Sequence, residues 1–426
     1  MRREPGLKED AQNLSLIAGS AIVAALITAG LLSASAAPEP LRIDVRVMQP
    51  PPVDAPVAHP EPIEHRYRIV TPLSGSNRLY GTIHTTSGAT ATGYIRWDRN
   101  EGSWADLLDA NKPRGAGESI SGIRFGHVSR MQARSRNAAL LTLKSGEQVE
   151  LTSNATDLGS ALRALVVEHA NGQVAELDWD QLDEVEFLPV PEAAPAPSQG
   201  RLFGTVTTRS GMEFTGYVTW DVDEIYSSDV LDGDLHGRRL EIPFGAVASI
   251  ERYSSWGARV TLHDGEEMIL EGTNDVDDSM RGVSVSDPML GQVLLDWDEF
   301  RSVRFHGAEA ESSFDQFDGG RRIEGTVVTR SGQELVGRIV WDDDETYTWE
   351  MLNGEIRGVE LNVEFGNIAR IVKTARGADV TLLDGRTLVL ANSNDVDDGN
   401  RGIFVEAEGA TVEIDWEDFA ELRLSH

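Results

Sequence analysis

Hydrophobic and aromatic residues follow one spacing six times along this chain. In each copy an apolar residue is followed two positions later by an aromatic residue, and then by two apolar residues at intervals of three. A step of two keeps both side chains on one face of a strand, and steps of three fit a single tight helical turn over the same core. Each copy therefore predicts a strand, one helical turn and a second strand. The six copies are Ile123/Phe125/Val128/Met131, Leu177/Trp179/Leu182/Val185, Ile242/Phe244/Val247/Ile250, Leu295/Trp297/Phe300/Val303, Val363/Phe365/Ile368/Ile371 and Ile414/Trp416/Phe419/Leu422.

A hairpin signal precedes each copy. It is a Ser-Gly or Asp-Gly pair between two stretches of alternating apolar residues, which is typical of two antiparallel strands joined by a tight turn. We therefore predict six β-hairpins. The pairs are Ser87-Gly88, Ser145-Gly146, Ser210-Gly211, Asp264-Gly265, Ser331-Gly332 and Asp384-Gly385.

The copies occur in pairs and define three long repeats. A Gly-Thr pair opens each repeat, and a Trp-Asp pair follows it at a constant offset, which composition alone does not produce. Proline-rich and polar stretches separate the repeats. The predicted organisation is 1–13 cytoplasmic N-terminus, 14–32 transmembrane anchor or signal segment, 33–76 proline-rich stalk, 77–188 repeat 1, 189–200 linker, 201–306 repeat 2, 307–320 linker and 321–426 repeat 3.

The sequence predicts an all-β fold after one N-terminal hydrophobic helix. Each repeat is expected to hold two half-units of short antiparallel strands, packed as a pair of small barrels or as one sandwich. The half-unit resembles the strongly bent small barrels of the SH3-like and Sm-like type, which implies a fold and no activity. The short linkers allow the repeats to pack as a row or to move as separate beads.

The N-terminal region predicts export. Residues 14–32 carry no charge over 19 positions, enough for a helix to cross a bilayer. We expect a retained anchor in a bacterial inner membrane, with the short basic side in the cytoplasm and the repeats in the periplasm. The alternative is secretion after cleavage near Ala34-Ser35-Ala36. Eight prolines between Pro38 and Pro62 predict a stiff stalk that lifts the repeats off the membrane.

Charge and cysteine content exclude several classes of function. The chain has 70 acidic and 38 basic residues, a formal charge of −32, so it repels a phosphate backbone. We therefore expect no nucleic-acid partner, and contact with the membrane only through the N-terminal helix. The chain has no cysteine, which excludes disulfides and thiolate chemistry.

Two acidic clusters are the candidate metal sites. The first follows the first tryptophan of each repeat, and the second is an Asn-Asp-Val-Asp-Asp segment in repeats 2 and 3 that becomes Asn154-Ala155-Thr156-Asp157 in repeat 1. Oxygen ligands on a tight loop suit calcium. The first cluster comprises Asp98/Asn100/Glu101, Asp221/Asp223/Glu224 and Asp342/Asp344/Glu345. The calcium candidates are Asp221, Asp223, Glu224, Asp342, Asp344, Glu345, Asp275, Asp277, Asp395 and Asp397.

A structural interpretation competes with calcium at both clusters. The first cluster is also typical of an ordinary solvated turn rich in Asp and Asn. In the second, Asn274 or Asn394 would cap a helical turn. Asp277 would then pair with Arg281 four residues on, and Asp397 would pair with Arg401 in the same way.

The tryptophans divide into two groups. Trp97, Trp220, Trp341, Trp179, Trp297 and Trp416 keep step with the repeated core pattern. Because these six tryptophans follow the core pattern, we predict that their side chains are buried and do not form a sugar-stacking surface. Trp104, Trp256 and Trp349 lie outside that pattern, so we predict that they are exposed contact residues.

The sequence contains no convincing pair of nucleophile and base, no histidines at the spacing of metal ligands and no glycine-rich phosphate loop. We therefore predict that the protein is not an enzyme. The predicted function is a non-catalytic, membrane-anchored scaffold or accessory subunit of an envelope complex, which would be respiratory, photosynthetic, secretory or wall-associated. Its partners would be other envelope or inner-membrane proteins, with no cofactor apart from the possible calcium. The alternatives are a calcium-dependent or carbohydrate-binding surface module and, third, an envelope hydrolase.

Overall fold

The computed structural model describes residues 75–112, 120–153, 156–308, 312–407 and 409–426. These residues form β-strands and short turns, with no α-helix among them, which confirms the all-β prediction. The predicted anchor over 14–32 and nearly all of the predicted stalk over 33–76 lie outside the described residues. In the described part, no helix is long and apolar enough to span a bilayer.

Each repeat contributes ten strands in the same order along the chain. Repeat 1 contains β1 (Tyr80–Thr85), β2 (Thr90–Trp97), β3 (Leu107–Asn111), β4 (Ile120–Arg124), β5 (Val128–Ser135), β6 (Ala138–Leu143), β7 (Gln148–Thr152), β8 (Leu165–Glu168), β9 (Val174–Leu177) and β10 (Leu182–Phe187). Repeat 2 contains β11 (Phe203–Thr208), β12 (Glu213–Trp220), β13 (Val230–Leu235), β14 (Arg238–Pro243), β15 (Val247–Ser254), β16 (Gly257–Leu262), β17 (Glu267–Glu271), β18 (Val283–Asp287), β19 (Gly291–Leu295) and β20 (Phe300–Phe305). Repeat 3 contains β21 (Glu324–Thr329), β22 (Glu334–Trp341), β23 (Met351–Ile356), β24 (Val359–Glu364), β25 (Ile368–Lys373), β26 (Ala378–Leu382), β27 (Thr387–Leu390), β28 (Ile403–Ala407), β29 (Ala410–Ile414) and β30 (Phe419–Leu424).

The predicted helical turns are present at the repeated aromatic positions. Five are 3₁₀ turns that begin at the aromatic residue, and at Trp297 the chain makes a hydrogen-bonded turn. A further 3₁₀ turn lies in the linker before repeat 3, at Phe314–Gln316. All six repeated aromatic side chains are buried, as the spacing predicts. The five turns are Phe125–His127, Trp179–Gln181, Phe244–Ala246, Phe365–Asn367 and Trp416–Asp418.

The predicted hairpin turns are also present. The glycine of each Ser-Gly or Asp-Gly pair adopts a positive φ, between 83° and 92°, which a residue without a Cβ adopts at little cost. The pairs connect β1 to β2 and β6 to β7 in repeat 1, and the equivalent strands in repeats 2 and 3. The strands on either side of each pair are antiparallel.

The two halves of each repeat share one antiparallel sheet. In repeat 1 the order is β4-β3-β7-β6-β5-β10-β1-β2-β8-β9, so the last strand lies between strands of the first half. Repeat 2 has the same order, and repeat 3 has it for the eight strands outside its β23–β24 hairpin. A strand from each half therefore pairs with the other half.

The β23–β24 hairpin of repeat 3 extends the sheet of repeat 2, while the other eight strands of repeat 3 form a sheet of their own. Strand β24 pairs with β19 of repeat 2 in antiparallel register, with Gln292 opposite Asn362 and Val293 opposite Leu361. The resulting sheet has twelve strands. The buried apolar side chains of repeats 2 and 3 likewise form one continuous core.

The core of repeat 1 is completed by other parts of the chain. Its buried cluster includes Tyr217 of repeat 2, Trp349 of repeat 3, and Phe314 and Phe317 of the linker 307–320. That linker has no apolar period in the sequence, yet its two phenylalanines are buried against repeat 1. Each repeat thus contacts both others, so the repeats pack neither as a simple row nor as separate beads.

Candidate functional site

A tight acidic turn follows the first tryptophan of each repeat. In repeat 3 strand β22 ends at Trp341, and Asp342 and Asp343 then adopt φ values of 49° and 70°. This left-handed region is uncommon for residues other than glycine, and Asp tolerates it better than most. The backbone N–H of Glu345 donates to the carbonyl of Trp341 over 3.0 Å, so the chain reverses within four residues. Asp342 and Glu345 are both buried as a result.

The second acidic segment docks on this turn. The Trp341 indole N–H donates to the Asp395 carbonyl over 2.9 Å. The Asp395 carboxylate accepts the Asn353 backbone N–H over 2.6 Å. The Asp342 carboxylate accepts the backbone N–H of Arg401 over 2.5 Å and its Nε over 3.0 Å. The two clusters that the sequence shows as separate therefore form one network.

The same network occurs in all three repeats. In each, the indole donates to the carbonyl of the docked aspartate, and the aspartate after the tryptophan accepts an arginine backbone N–H and Nε. The equivalent residues are Trp97, Asp98, Asp157 and Arg163 in repeat 1, Trp220, Asp221, Asp275 and Arg281 in repeat 2, and Trp341, Asp342, Asp395 and Arg401 in repeat 3.

The predicted ion pairs four residues apart are wrong. Arg281 binds Asp221 and Asp223 at 2.6 and 2.5 Å, whereas Asp277 accepts the backbone N–H of Ser279. Repeat 3 follows the same arrangement, with Arg401 on the aspartates of the first cluster. The segment forms a turn instead of a continuous helix, so positions four apart do not share a face.

The cap prediction and the alignment of repeat 1 also need correction. The side-chain amide of Asn274 donates to Asp221, and that of Asn394 donates to Asp342. In repeat 1 the Thr156 hydroxyl makes this bond to Asp98. Thr156 is therefore the counterpart of Asn274, and Asp157 that of Asp275; Asn154 and Ala155 lie outside the described residues.

The structure brings together some of the calcium candidates. One carboxylate oxygen from each of Asp342, Glu345 and Asp395 lies within 4.8 Å of the others, and the same holds for Asp221, Asp223 and Glu224. Asp344 is bound to Arg401, and Asp275 accepts the Asp232 backbone N–H over 2.7 Å. Asp277 and Asp397 each accept a local backbone N–H at the edge of the turn, outside either group.

Burial changes the acidity of these carboxyls. It raises the pKa of Glu224 to about 10, with Asp275 and Asp223 adding to the effect. Burial likewise raises the pKa of Glu101 and Glu345 well above the usual value. It raises the pKa of Asp395 to about 7. Glu224 is therefore a neutral acid at neutral pH.

We expect Glu224→Gln to flatten the pH dependence of stability. Between the ordinary glutamate pKa of 4.5 and about 10 the folded chain holds a proton that the unfolded chain has lost. The unfolded state then binds fewer protons, so stability falls as pH rises through this range. In Glu224→Gln the fall in melting temperature from about pH 5 to pH 9 should be smaller than in the wild type. Glu241→Gln, at an exposed position on β14, should keep the wild-type slope; an equal slope in all three proteins would contradict the assignment.

We expect Asp342→Asn to destabilise the protein far more than Asp397→Asn. Asp342 is buried and accepts bonds from Arg401 and Asn394, so the amide would remove the buried one of the two carboxylates that pair with the Arg401 guanidinium. The expected loss is about 1–3 kcal/mol in the free energy of unfolding, measured by urea titration. Asp397→Asn should change it by less than about 0.5 kcal/mol. If Asp397 paired with Arg401 four residues on, Asp397→Asn would instead lower the free energy of unfolding as well.

A second repeated carboxylate lies nine residues after the tryptophan and was missed at the sequence level. Asp106, Asp229 and Glu350 each accept two backbone N–H groups of the turn before them. Each also binds a cation from a different repeat. The pairs are Asp106 with Arg201, Asp229 with Arg96, and Glu350 with Lys112. The constant offset from the tryptophan was the available signal.

Two of the three tryptophans predicted to be exposed are buried. Trp104 and Trp349 are 0% exposed, whereas Trp256 is 52% exposed. The Trp104 ring lies 4.7 Å from that of Phe314 in the linker, and Trp349 packs in the core cluster of repeat 1. The exposure prediction is wrong for these two because they fill contacts with distant parts of the chain, the linker 307–320 for Trp104 and repeat 1 for Trp349. Trp256 lies in the turn between β15 and β16, where its ring centroid is 6.0 Å from that of Tyr253.

Two large clefts lie where the three repeats meet. The larger, of about 980 Å³, is lined by residues of all three repeats and the linker 307–320, among them Arg124, His127 and Glu364. Arg124 forms an ion pair with Glu364, with Nε 2.9 Å from Oε2, and donates a hydrogen bond to the Pro288 carbonyl of repeat 2 over 2.9 Å. The smaller cleft, of about 680 Å³, is acidic and is lined by Glu345 and Asp395 of repeat 3 and by residues of both other repeats.

Comparison with protein-family models, with curated proteins and with solved structures found no match to this chain.

Proposed function

We propose that this protein is a non-catalytic scaffold or accessory subunit of an envelope membrane complex, in which three interlocked β repeats present one rigid surface. The observation that carries the proposal is the set of buried ion pairs between repeats, Asp106 with Arg201 above all, together with the sheet shared by β19 and β24. A binding platform needs fixed relative positions of its parts, and such contacts supply them.

The repeated acidic network supports a structural role for its carboxylates. Asp98, Asp221 and Asp342 are fully buried, and each accepts a backbone N–H and an arginine side chain. A nucleophile or general base must face a substrate, whereas these carboxylates face the arginine and the backbone of the docked segment. These aspartates hold the turn in place instead.

The proposal also includes a membrane anchor and a barrel-like fold for each repeat. The apolar stretch over 14–32 would hold the chain in the inner membrane, and the prolines of 33–76 would keep the repeats away from the lipid. Each repeat would be a bent sheet closed over its core in the manner of SH3-like and Sm-like barrels. The strand shared between halves fits one closed unit better than two separate ones.

The best supported contact surface is the edge strand β29 of repeat 3. The equivalent strand of repeat 2, β19, already has a further strand, β24, added to its edge. Strand β29 pairs with β28 on one side and ends the sheet on the other. An open edge is a template for an additional strand. Addition of a partner's strand to β29 would repeat a contact that the chain makes within itself.

Co-purification after mild detergent extraction tests the scaffold role. We expect the full chain to fractionate with membranes and to elute together with other envelope proteins. Val412→Lys places a charge on the β29 edge and should release the partner. Val336→Lys, at a position that is 67% exposed on the inner strand β22, is the matched control and should keep it. Recovery of the wild type as a lone species would overturn the proposal.

A further inference from the structure

The buried glutamate of the acidic turn has the same unpartnered atom in every repeat. Oε2 of Glu101, Glu224 and Glu345 is buried and accepts no hydrogen bond among the described residues. In repeats 2 and 3 the neighbouring carboxyl of Asp223 or Asp344 lies within hydrogen-bonding reach of the glutamate. Leaving a buried polar atom unpaired costs about 1–3 kcal/mol, so three equivalent cases call for a common cause. An atom absent from the protein chain itself would provide the missing contact.

The surroundings of this atom in repeat 3 favour a cation. Glu345 is 6% exposed, and oxygens of Asp342 and Asp395 lie within 4.8 Å of its own ligand atom. Asp344 completes a group of four carboxyls, and Arg401 is the cation bound to Asp342 and Asp344. Lys112 also approaches, but its ammonium pairs with Glu350. Negative charge therefore exceeds the positive charge at this point.

From these contacts we propose that the cluster of Asp342, Glu345 and Asp395 is a Ca²⁺ site, with Glu345 Oε2 as a direct ligand. Calcium takes six to eight oxygen ligands in irregular geometry, and carboxylates on a tight turn with an adjacent docked segment supply such a set. The cluster opens onto the acidic cleft of about 680 Å³, which gives the ion a path and leaves room for water ligands. The ion and the carboxyl protons would compete for the same oxygens.

The three repeats should differ in their affinity for the ion. Repeat 2 has a related group of Asp221, Asp223 and Glu224, in which Asp223 takes the place that Asp395 has in repeat 3. In repeat 1 the position of Asp223 and Asp344 is taken by Asn100, which binds Arg163 through its side-chain oxygen at 2.6 Å. Since one carboxylate fewer weakens a calcium site, repeat 1 should bind the ion least.

Terbium luminescence and calorimetry on the chelator-treated full chain test the site. The Trp341 indole donates to Asp395, so it is close enough to sensitise Tb³⁺ held by that residue. We expect Tb³⁺ emission excited through tryptophan, its displacement by Ca²⁺, and a rise in melting temperature at about 1 mM Ca²⁺.

Glu345→Gln should lower Ca²⁺ affinity at the repeat 3 site by about tenfold or more. It keeps the shape of the glutamate side chain and adds no charge, so it should melt in chelator no lower than the wild type, which separates loss of binding from misfolding. Glu360→Gln, an exposed change in the same cleft, is the matched control and should bind as the wild type does. Equal losses in both variants would mean general charge attraction only, and no heat or melting shift at about 10 mM Ca²⁺ would overturn the site.

Discussion

Asp106→Ala is expected to lower the free energy of unfolding by about 3–5 kcal/mol. Asp106 is 4% exposed at its side chain and binds the fully buried Arg201 of repeat 2 at 3.0 Å. It also accepts the Ser286 hydroxyl and the backbone N–H groups of Gly102 and Ser103. Removing the carboxylate leaves a buried guanidinium without its anion and two N–H groups without an acceptor, and such loss is strongly destabilising.

Urea titration followed by tryptophan fluorescence would measure this effect. The matched control is Glu251→Ala, which breaks the pair of Glu251 with Arg259 at 3.2 Å on the surface. Exposed pairs contribute about 0–1 kcal/mol, so the control should stay near the wild type. A small effect of both substitutions would mean that repeats 1 and 2 do not meet as described.

Trp104→Ala should also cost about 3–5 kcal/mol. The side chain is buried between repeat 1 and the linker 307–320, with its ring 4.7 Å from Phe314 and 6.2 Å from Phe187, and its indole N–H donates to the Ser76 carbonyl. Truncation to alanine would open a cavity where the linker 307–320, which leads to repeat 3, packs against repeat 1. Thermal and urea unfolding of the full chain would report the loss.

Trp256→Ala is the matched control for that substitution. Its ring is about half exposed and contacts Tyr253 alone among the aromatic residues described, so stability should change by less than about 0.5 kcal/mol. Comparable destabilisation by both changes would contradict the assignment of Trp104 to the interior. If Trp256 contributes to partner binding, its loss should appear in co-purification and not in stability.

The local structure was predictable because its determinants are close together in sequence. The aromatic residue and its apolar neighbours fix a strand and one turn within nine positions, as at Phe244 and Trp416. Gly88 and its equivalents fix the hairpins, since the turn needs a positive φ. These features depend on short-range sterics and on which face of a strand is buried.

Contacts between distant segments were not predictable from such patterns. Arg281 meets Asp221 from 60 positions away, and Lys144 meets Phe314 from 170. Periodicity carries no information about which of several acidic groups an arginine will reach. The error for Trp104 has the same origin, because a residue outside the periodic core of its own repeat can be buried against another part of the chain.

The candidate site was predictable in composition and only partly in geometry. The recurrence of Asp and Glu after each tryptophan identified Glu224 and Glu345 as candidates. The burial of these side chains, and their unpartnered oxygens, follow from docking of the second segment onto the turn. That docking depends on the indole of Trp341 and on Arg401, whose roles require the folded chain.

Disulfide trapping between Gln292 and Asn362 is the most direct test of how the repeats interlock. The two residues lie opposite each other on β19 and β24, and the chain has no cysteine of its own to interfere. Gln292→Cys with Asn362→Cys should give a monomeric, intramolecular disulfide on mild oxidation, because directly paired residues have the required separation. Thr411→Cys with Asn362→Cys, which uses the equivalent position on β29, should not. Failure of the first pair to cross-link, or equal cross-linking of both, would contradict the shared sheet.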